Sequence, residues 1–235
     1  MDARTIAAGV GAFLGGGLIT GVAVALIGRE KTEEGAVDLT SVSKLSPRQI
    51  AELKALPNYR KPRDGIKSFR THTHFITTLN TAFKKTVDNA DARAIIIAHA
   101  ARGGGWHVPG RVPLYWWNLW GELSSTDKIE HGELFTILKG SGSGGYYHAF
   151  RAYTSPEEAL AGYRGHVQEI NRDAWAWLMG VDGRDKSACF SYCFRIKEWF
   201  SRKTRAKAAD GSYPGLEKFS TDMAWIINRH CKVVV

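Results

Sequence analysis

The stretch Ile95–Leu123, IIIAHAARGGGWHVPGRVPLYWWNLWGEL, decides the fold because it joins an apolar helix to an aromatic loop. Its first part has the composition of a buried helix, interrupted only by His99. Three consecutive glycines follow, and four tryptophans then fall within fifteen residues. Glycine is unfavourable inside helices and allows sharp changes of chain direction. The stretch therefore predicts the floor and wall of a cleft.

Composition indicates an anionic partner. The 235 residues carry a formal net charge of +9 and include eight Trp, eight Tyr and ten Phe. A basic surface attracts nucleic acid, anionic lipid or cell-wall polymer, and aromatic rings stack on bases and sugars alike. The basic residues are scattered, however, and no nucleic-acid-binding motif is present. The densest basic run, 202–207, has the pattern of a solvated face, so nucleic acid is the disfavoured partner.

The chain has three cysteines, Cys189, Cys193 and Cys231. Such a small, odd number does not fit a disulfide framework. We expect buried thiols, with a single bridge involving Cys231 as the alternative. No Cys/His spacing typical of a zinc site is present. The sequence therefore predicts neither a metal nor a cofactor.

The N-terminal segment 5–28 contains no charged residue and is long enough to cross the apolar core of a bilayer. Gly11 and Gly15, and again Gly17 and Gly21, form small-xxx-small pairs that would let two such helices associate. A cleaved signal peptide is the alternative, since Ala23–Ala25 resembles a cleavage box. We favour a retained single-pass anchor in the lipid bilayer, because the apolar run continues past that box.

Three regions are predicted along the chain: the anchor (1–28), a stalk (29–64) and a globular domain (65–235). The stalk contains one short helix, which begins at the capping-box pattern Ser46–Gln49. In the globular domain we expect helices over 75–89, 90–102 and 155–171, and a last one near 219–229. Two β-rich runs, ELFTIL and YYHAFRAY, flank a Gly/Ser turn and predict a hairpin. Together these elements predict a mainly helical α+β domain with one small β-hairpin lobe.

The order of these motifs resembles the glucosaminidase family of bacterial autolysins and flagellar muralytic enzymes, glycoside hydrolase family 73 of the lysozyme-like superfamily. His99–Trp106 (HAARGGGW) matches the family's active-helix pattern QAALESGWG, and Asn118–Gly121 (NLWG) matches its NLFG element. After the hairpin, Phe150–Ser155 (FRAYTS) matches FRxYxS, followed by an acidic helix with Glu158 and Tyr163. Near the end, Tyr213 and the run Ile-Ile-Asn at 226–228 match a tyrosine loop and a terminal helix.

The resemblance covers roughly residues 70–230 and implies a lysozyme-like fold that acts on peptidoglycan glycan strands. One departure is critical, because the family's catalytic glutamate aligns with Gly103, which has no proton to give. Glycosidic cleavage needs an acid to protonate the leaving oxygen. Glu122, directly after the NLWG element, could be a relocated acid, and Glu133 corresponds to the family's second carboxylate. The alternative is that these residues, with Asp127 and Glu130, are solvated acids.

The resemblance also implies contacts to the substrate. Tyr153 matches the family's cleft tyrosine and is grouped with Glu122 and Glu133 as a catalytic candidate. The residues expected to contact the glycan are His99, Trp106, Trp117, Asn118, Trp120 and Tyr163. A packing role is the alternative for several of them, above all for His99 and Trp106.

Two functions therefore remain open in the sequence. The first is a membrane-anchored muralytic glycosidase, a glucosaminidase or lytic transglycosylase, whose globular domain faces the cell wall. The second is a catalytically degenerate relative that binds glycan or serves as a structural component of an envelope machine or a membrane-containing virion. The loss of a carboxylate at Gly103 motivates the second.

Overall fold

A computed structural model describes residues 44–107, 114–139 and 145–234, which form an α+β unit. Within these ranges the α-helices are Pro47–Lys54 (α1), His72–Phe83 (α2), Ala90–Gly103 (α3), Thr126–Glu130 (α4), Pro156–Ile170 (α5), Arg172–Met179 (α6), Lys186–Arg195 (α7) and Pro214–His230 (α8). The strands are Ile66–Lys67 (β1), Leu114–Tyr115 (β2), Phe135–Lys139 (β3) and Tyr147–Arg151 (β4). Short 3₁₀ turns occupy Pro62–Gly65, Lys197–Trp199 and Cys231–Val233.

Helix starts follow the capping chemistry predicted from the sequence. The Ser46 hydroxyl accepts a hydrogen bond from the Gln49 amide, while the Gln49 side chain accepts one from the Ser46 amide. Ser155 likewise accepts from the Glu158 amide, ahead of Pro156 at the first helical position. These bonds satisfy amides that have no partner within a helix. The predicted starts of α1 and α5 are confirmed.

Helix α3 is the centre of the main hydrophobic core. Each of its residues from Ala92 to Ala101 is buried, as predicted for the apolar run. It packs against α2 and α8, and α7 packs against α8 in turn. Arg93 is buried within this helix, where its guanidinium donates to the Asn80 side chain and to the carbonyls of Val87 and Asp88.

The β structure consists of two antiparallel pairs. Strands β3 and β4 form the predicted hairpin, with Phe135 opposite Arg151 and Lys139 opposite Tyr147. Strands β1 and β2 form a second pair, so the prediction of a single hairpin was incomplete. The second pair is two residues long on each strand, too short to leave an alternating sequence pattern.

Residues 44–64 belong to the globular unit over their described length. The predicted short helix, α1, is present, but it packs on the hairpin rather than standing on a stalk. Leu45 and Leu53 share a second buried cluster with Phe135, Ile137 and neighbouring side chains. Backbone bridges also join Leu45 to Tyr147 and Tyr59 to Phe135. The predicted boundary at 64/65 therefore lies inside a packed unit.

In the described ranges no helix is long and apolar enough to cross a membrane. The predicted anchor at 5–28, with its small-xxx-small pairs, lies outside those ranges, as do residues 29–43 of the predicted stalk. The three cysteines are free and buried, which confirms the prediction of buried thiols.

Candidate functional site

A buried ion pair lies where the loop after β2 meets strand β4. Glu122 Oε2 is 2.9 Å from Arg151 Nη1, and the two side chains are 3% and 7% exposed. The backbones meet here as well, because the Arg151 amide donates to the Glu122 carbonyl. Removing two charges from water carries a large desolvation cost, so such pairs are uncommon without several polar partners.

A second carboxylate joins the same guanidinium. Glu133 Oε2 lies 3.3 Å from Arg151 Nε, and the Ser124 hydroxyl donates to Glu133 Oε1. Glu133 is half-buried, with 23% of its side chain exposed. One arginine therefore stands between a buried carboxyl and a partly exposed one, and both glutamates proposed from the sequence are in this cluster.

Tyr153 completes the cluster from the chain just after β4. Its hydroxyl donates a 2.9 Å hydrogen bond to Glu122 Oε2. Residues 151 and 153 are two apart in extended chain, so their side chains leave on the same face. Burial and the neighbouring Glu122 carboxylate raise the pKa of Tyr153, so its hydroxyl keeps its proton and remains a donor.

Asn118 fixes the backbone that carries Glu122. Its side-chain amide donates to the carbonyls of Glu122 at 2.8 Å and Arg151 at 3.0 Å. Its side-chain oxygen accepts from the Glu122 amide at 2.8 Å. With these bonds formed, the buried Asn118 side chain positions Glu122 rather than presenting polar atoms to a glycan.

The turn before Asn118 has an unusual backbone. Trp116 and Trp117 are consecutive non-glycine residues with φ of 51° and 52°. Each such residue costs about 1–3 kcal/mol and persists where surrounding contacts impose it. The Trp116 ring packs on Gly65, and its indole donates to the Lys61 carbonyl. The Trp116 carbonyl accepts from the Tyr153 amide, so the strained turn is tied directly to the cluster.

Burial controls the protonation of Glu122. Desolvation raises the pKa of Glu122 to about 7, although Arg151 and the hydrogen bond from Tyr153 act in the opposite direction. Its Oε1 atom is buried and has no hydrogen-bond partner among the described residues. A carboxyl in this state gives up a proton near neutral pH, which is a property of general acids.

His99 and Tyr163 lie in the core. His99 Nδ1 is 2.7 Å from the Tyr163 hydroxyl, which in turn bonds to the Tyr192 hydroxyl. The exposed fractions of His99 and Tyr163 are 2% and 0%. Both were expected to contact glycan, but in this structure they form a buried polar chain within the helical core, which was the alternative stated for His99.

The three tryptophans expected to contact glycan pack wholly or partly against the protein interior. Trp120 is buried and stacks on Tyr163 with ring centroids 4.1 Å apart. Trp117 is half-buried against Phe69, and Trp106 is half-buried against His72 and its neighbours. Trp106 and Trp117 therefore keep part of their surface open, whereas Trp120 does not.

Gly103 stands on the last turn of α3 with an exposed backbone. A Cβ built there would meet only His99, at 3.8 Å. There is thus room for a side chain at this position, and none is present. The neighbouring Gly104 is different, because a Cβ there would lie 2.0 Å from the Leu119 carbonyl oxygen.

Two members of the cluster had no role assigned from the sequence. Arg151 was noted only as part of the FRAYTS pattern, although its position two residues before Tyr153 signals a shared face. Ser124 carried no signal, since short serine-rich loops are common.

No group of three or more His, Cys, Asp or Glu residues in the described ranges is arranged to hold a metal ion.

Comparison with protein-family models, with curated proteins and with solved structures gave no match to this chain.

Proposed function

We propose that this chain is a peptidoglycan-directed glycosidase with a lysozyme-like cleft, and that Glu122 is its general acid. The observation that carries the proposal is the buried cluster of Glu122, Arg151, Glu133 and Tyr153. Residues 5–28 would hold it in a membrane, with the globular domain facing the cell wall of a bacterial envelope or reaching it from the membrane of a virion.

The protonation of Glu122 supports its role as the acid. Glycosidic cleavage requires a carboxylic acid that still holds its proton at the working pH. With a pKa of about 7, Glu122 is protonated in a substantial fraction of molecules at neutral pH. Its Oε2 accepts from Arg151 and Tyr153, whereas Oε1 has no described partner. Oε1 is therefore the oxygen of Glu122 that is free to carry the proton.

Arg151 supports a division of roles between the two carboxyls. A single guanidinium balances one negative charge, and two nearby carboxylates disfavour ionisation of both. Glu133 also accepts from Ser124 and is less buried than Glu122, so it is the better placed of the two to act as the second carboxylate. In the reaction, that carboxylate would stabilise the oxocarbenium-like sugar or activate water.

Tyr153 supports a site at the edge of the cluster. Its ring is half-buried and its hydroxyl is held against Glu122. Because the Tyr153 hydroxyl donates to Oε2 of Glu122, a proton held by Glu122 would be on Oε1. Tyr153 also matches the cleft tyrosine of the family that the sequence resembles, a residue expected to contact the substrate.

Gly103 favours the second function, a catalytically degenerate protein that binds glycan or serves as a structural component of an envelope machine or virion. The position that the family uses for its acid is open and empty of any side chain. In that case the Glu122–Arg151 pair would only tie the aromatic loop to the hairpin. The two functions predict opposite results for one substitution at Glu122.

The test is release of soluble fragments from isolated peptidoglycan by the full chain and by its Glu122→Gln, Glu133→Gln and Tyr153→Phe variants. Glu130→Gln is the matched control, because Glu130 precedes the hairpin and forms no hydrogen bond or ion pair with the cluster in the described residues. Loss of release in Glu122→Gln but not in the control supports the enzyme. New reducing ends or anhydro ends in the product would then distinguish hydrolysis from lytic transglycosylation. Sedimentation with the wall but no release by the unaltered chain would support the degenerate alternative.

A further inference from the structure

A basic hollow lies on the helical part of the molecule, between the 3₁₀ turn that follows α7 and the start of α8. Its volume is about 330 Å³. The lining residues are Lys197, Glu198, Arg202, Arg205, Lys207 and Tyr213. Four cationic side chains thus face one space that contains a single carboxylate.

The charges in this hollow are not balanced. Glu198 pairs with Arg205, which neutralises one of the four cations. Lys197, Arg202 and Lys207 form no ion pair with any carboxylate of the described residues. Lys197 instead lies over the Phe194 and Tyr213 rings, at 4.9 and 6.0 Å from their centroids. Three positive charges close together without counter-charges create a local potential that attracts an anion.

The segment that carries these cations is folded. The Ser201 hydroxyl accepts from the Thr204 amide and lies 3.1 Å from the Thr204 hydroxyl. Gly215 packs closely on the same turn, since a Cβ there would fall 2.3 Å from the Thr204 carbonyl oxygen. The Ala208 amide donates to the Ser212 carbonyl farther along the loop. The cations therefore project from a defined backbone, which reduces the entropic cost of gathering them around a ligand.

We propose that this hollow is a binding site for a phosphate group. Arginine presents a fork of donors that matches phosphate oxygens, and lysine adds a mobile point charge. Arg202 and Lys207 would hold the anion, Lys197 would complete the charge, and the Tyr213 hydroxyl can donate to a third oxygen. The same chemistry is offered by free phosphate compounds, by the headgroups of anionic lipids and by phosphodiester polymers.

The experiment is titration calorimetry of the full chain with inorganic pyrophosphate, at an ionic strength held constant with sodium chloride. The test variant is Arg202→Gln with Lys207→Gln. Its matched control is Lys54→Gln with Lys84→Gln, which removes the same charge from exposed positions outside the hollow. We expect the test variant to bind pyrophosphate at least about tenfold more weakly, since it loses two charge-assisted contacts, and the control to bind as the unaltered chain does.

Three further arms identify the source of the phosphate. They use glycerol phosphate, vesicles of phosphatidylglycerol beside phosphatidylcholine, and duplex DNA. When the unaltered chain binds pyrophosphate, the arm in which binding is lost in the test variant and kept in the control names the source of the phosphate. No pyrophosphate binding by the unaltered chain, or equal weakening in both variants, would overturn the proposal. Neither result depends on glycosidase activity, so the two proposals fail separately.

Discussion

The phenol of Tyr153 lies against the backbone of Gly162 in α5. A Cβ built at position 162 would be 2.2 Å from the Tyr153 oxygen and 2.5 Å from the ring carbon that bears it. The hydroxyl that donates to Glu122 thus occupies the space where any other residue would place its side chain. Gly162 is in this way part of what positions the cluster, although it contributes no polar group.

Gly162→Ala should destabilise the protein by about 1–3 kcal/mol, because the methyl group forces the Tyr153 ring out of its place. Alanine ordinarily stabilises a helix interior over glycine by about 0.5–1 kcal/mol. Gly165→Ala in the same helix is the matched control, since a Cβ there meets nothing within 4 Å. Urea unfolding of both variants shows whether each substitution lowers or raises the free energy of unfolding. Equal stabilisation of the two would contradict the packing of Tyr153 on Gly162.

The glycine run at the end of α3 provides a second matched pair. Gly104→Ala should cost at least about 1–3 kcal/mol, because its Cβ would collide with the Leu119 carbonyl oxygen and push the aromatic loop away. Gly103→Ala has room and should be neutral or stabilising by up to about 1 kcal/mol. Thermal unfolding of the two variants measures the difference. A Gly104→Ala protein as stable as the parent would mean that the loop does not approach the helix as described.

Much of the fold could be predicted from local signals. Serine caps with a following proline mark the starts of α1 and α5, and alternating β-rich runs around a Gly/Ser turn mark the hairpin. The packing of α1 on the hairpin could not be predicted, because it depends on contacts between Leu53 and residues some eighty positions away. A polar segment with two prolines near its end has the composition of a linker even when one of its faces is buried.

The candidate site was predictable only in part. Glu122, Glu133 and Tyr153 were identified by their place beside recognisable motifs. Arg151, which joins these three residues, could not be identified in the same way. The burial of an arginine depends on partners that the local sequence does not reveal. His99 and Tyr163 were assigned to the glycan, but their hydrogen bond to each other lies in the core. Proximity to a motif along the chain does not determine on which side of a helix a residue lies.

The raised pKa of Glu122 predicts a definite pH dependence of stability. Its folded value of about 7 exceeds the ordinary value of 4.5, so the folded state binds more protons between these two pH values. The free energy of unfolding should therefore fall through this window as the pH rises, by at most about 3 kcal/mol. Urea unfolding of the parent and of Glu122→Gln from pH 4.5 to 8 isolates this contribution as the difference between the two curves. Parallel curves of unfolding free energy against pH for the two proteins would contradict the raised pKa of Glu122.

His99 should behave in the opposite way. Burial lowers its pKa from 6.5 to about 3, so the imidazole stays neutral in the folded protein. The stability that it contributes is present above pH 6.5 and is lost as the pH falls towards 3. NMR titration of the histidines from pH 5 to 8 should show no change for His99. His131, whose pKa is raised by Asp127, should titrate in the same spectra. A midpoint near 6.5 for His99 would rule out its burial.

The pH–rate profile of fragment release from peptidoglycan tests most directly whether Glu122 is an acid catalyst. For the full chain we expect the rate to fall as the pH rises through about 7, where Glu122 loses its proton. At pH values below about 7, Glu122→Gln should lower the rate by about 10²–10⁴, with Glu130→Gln unchanged. Release by Glu122→Gln at the rate of the parent, with the same pH dependence, would contradict the proposal.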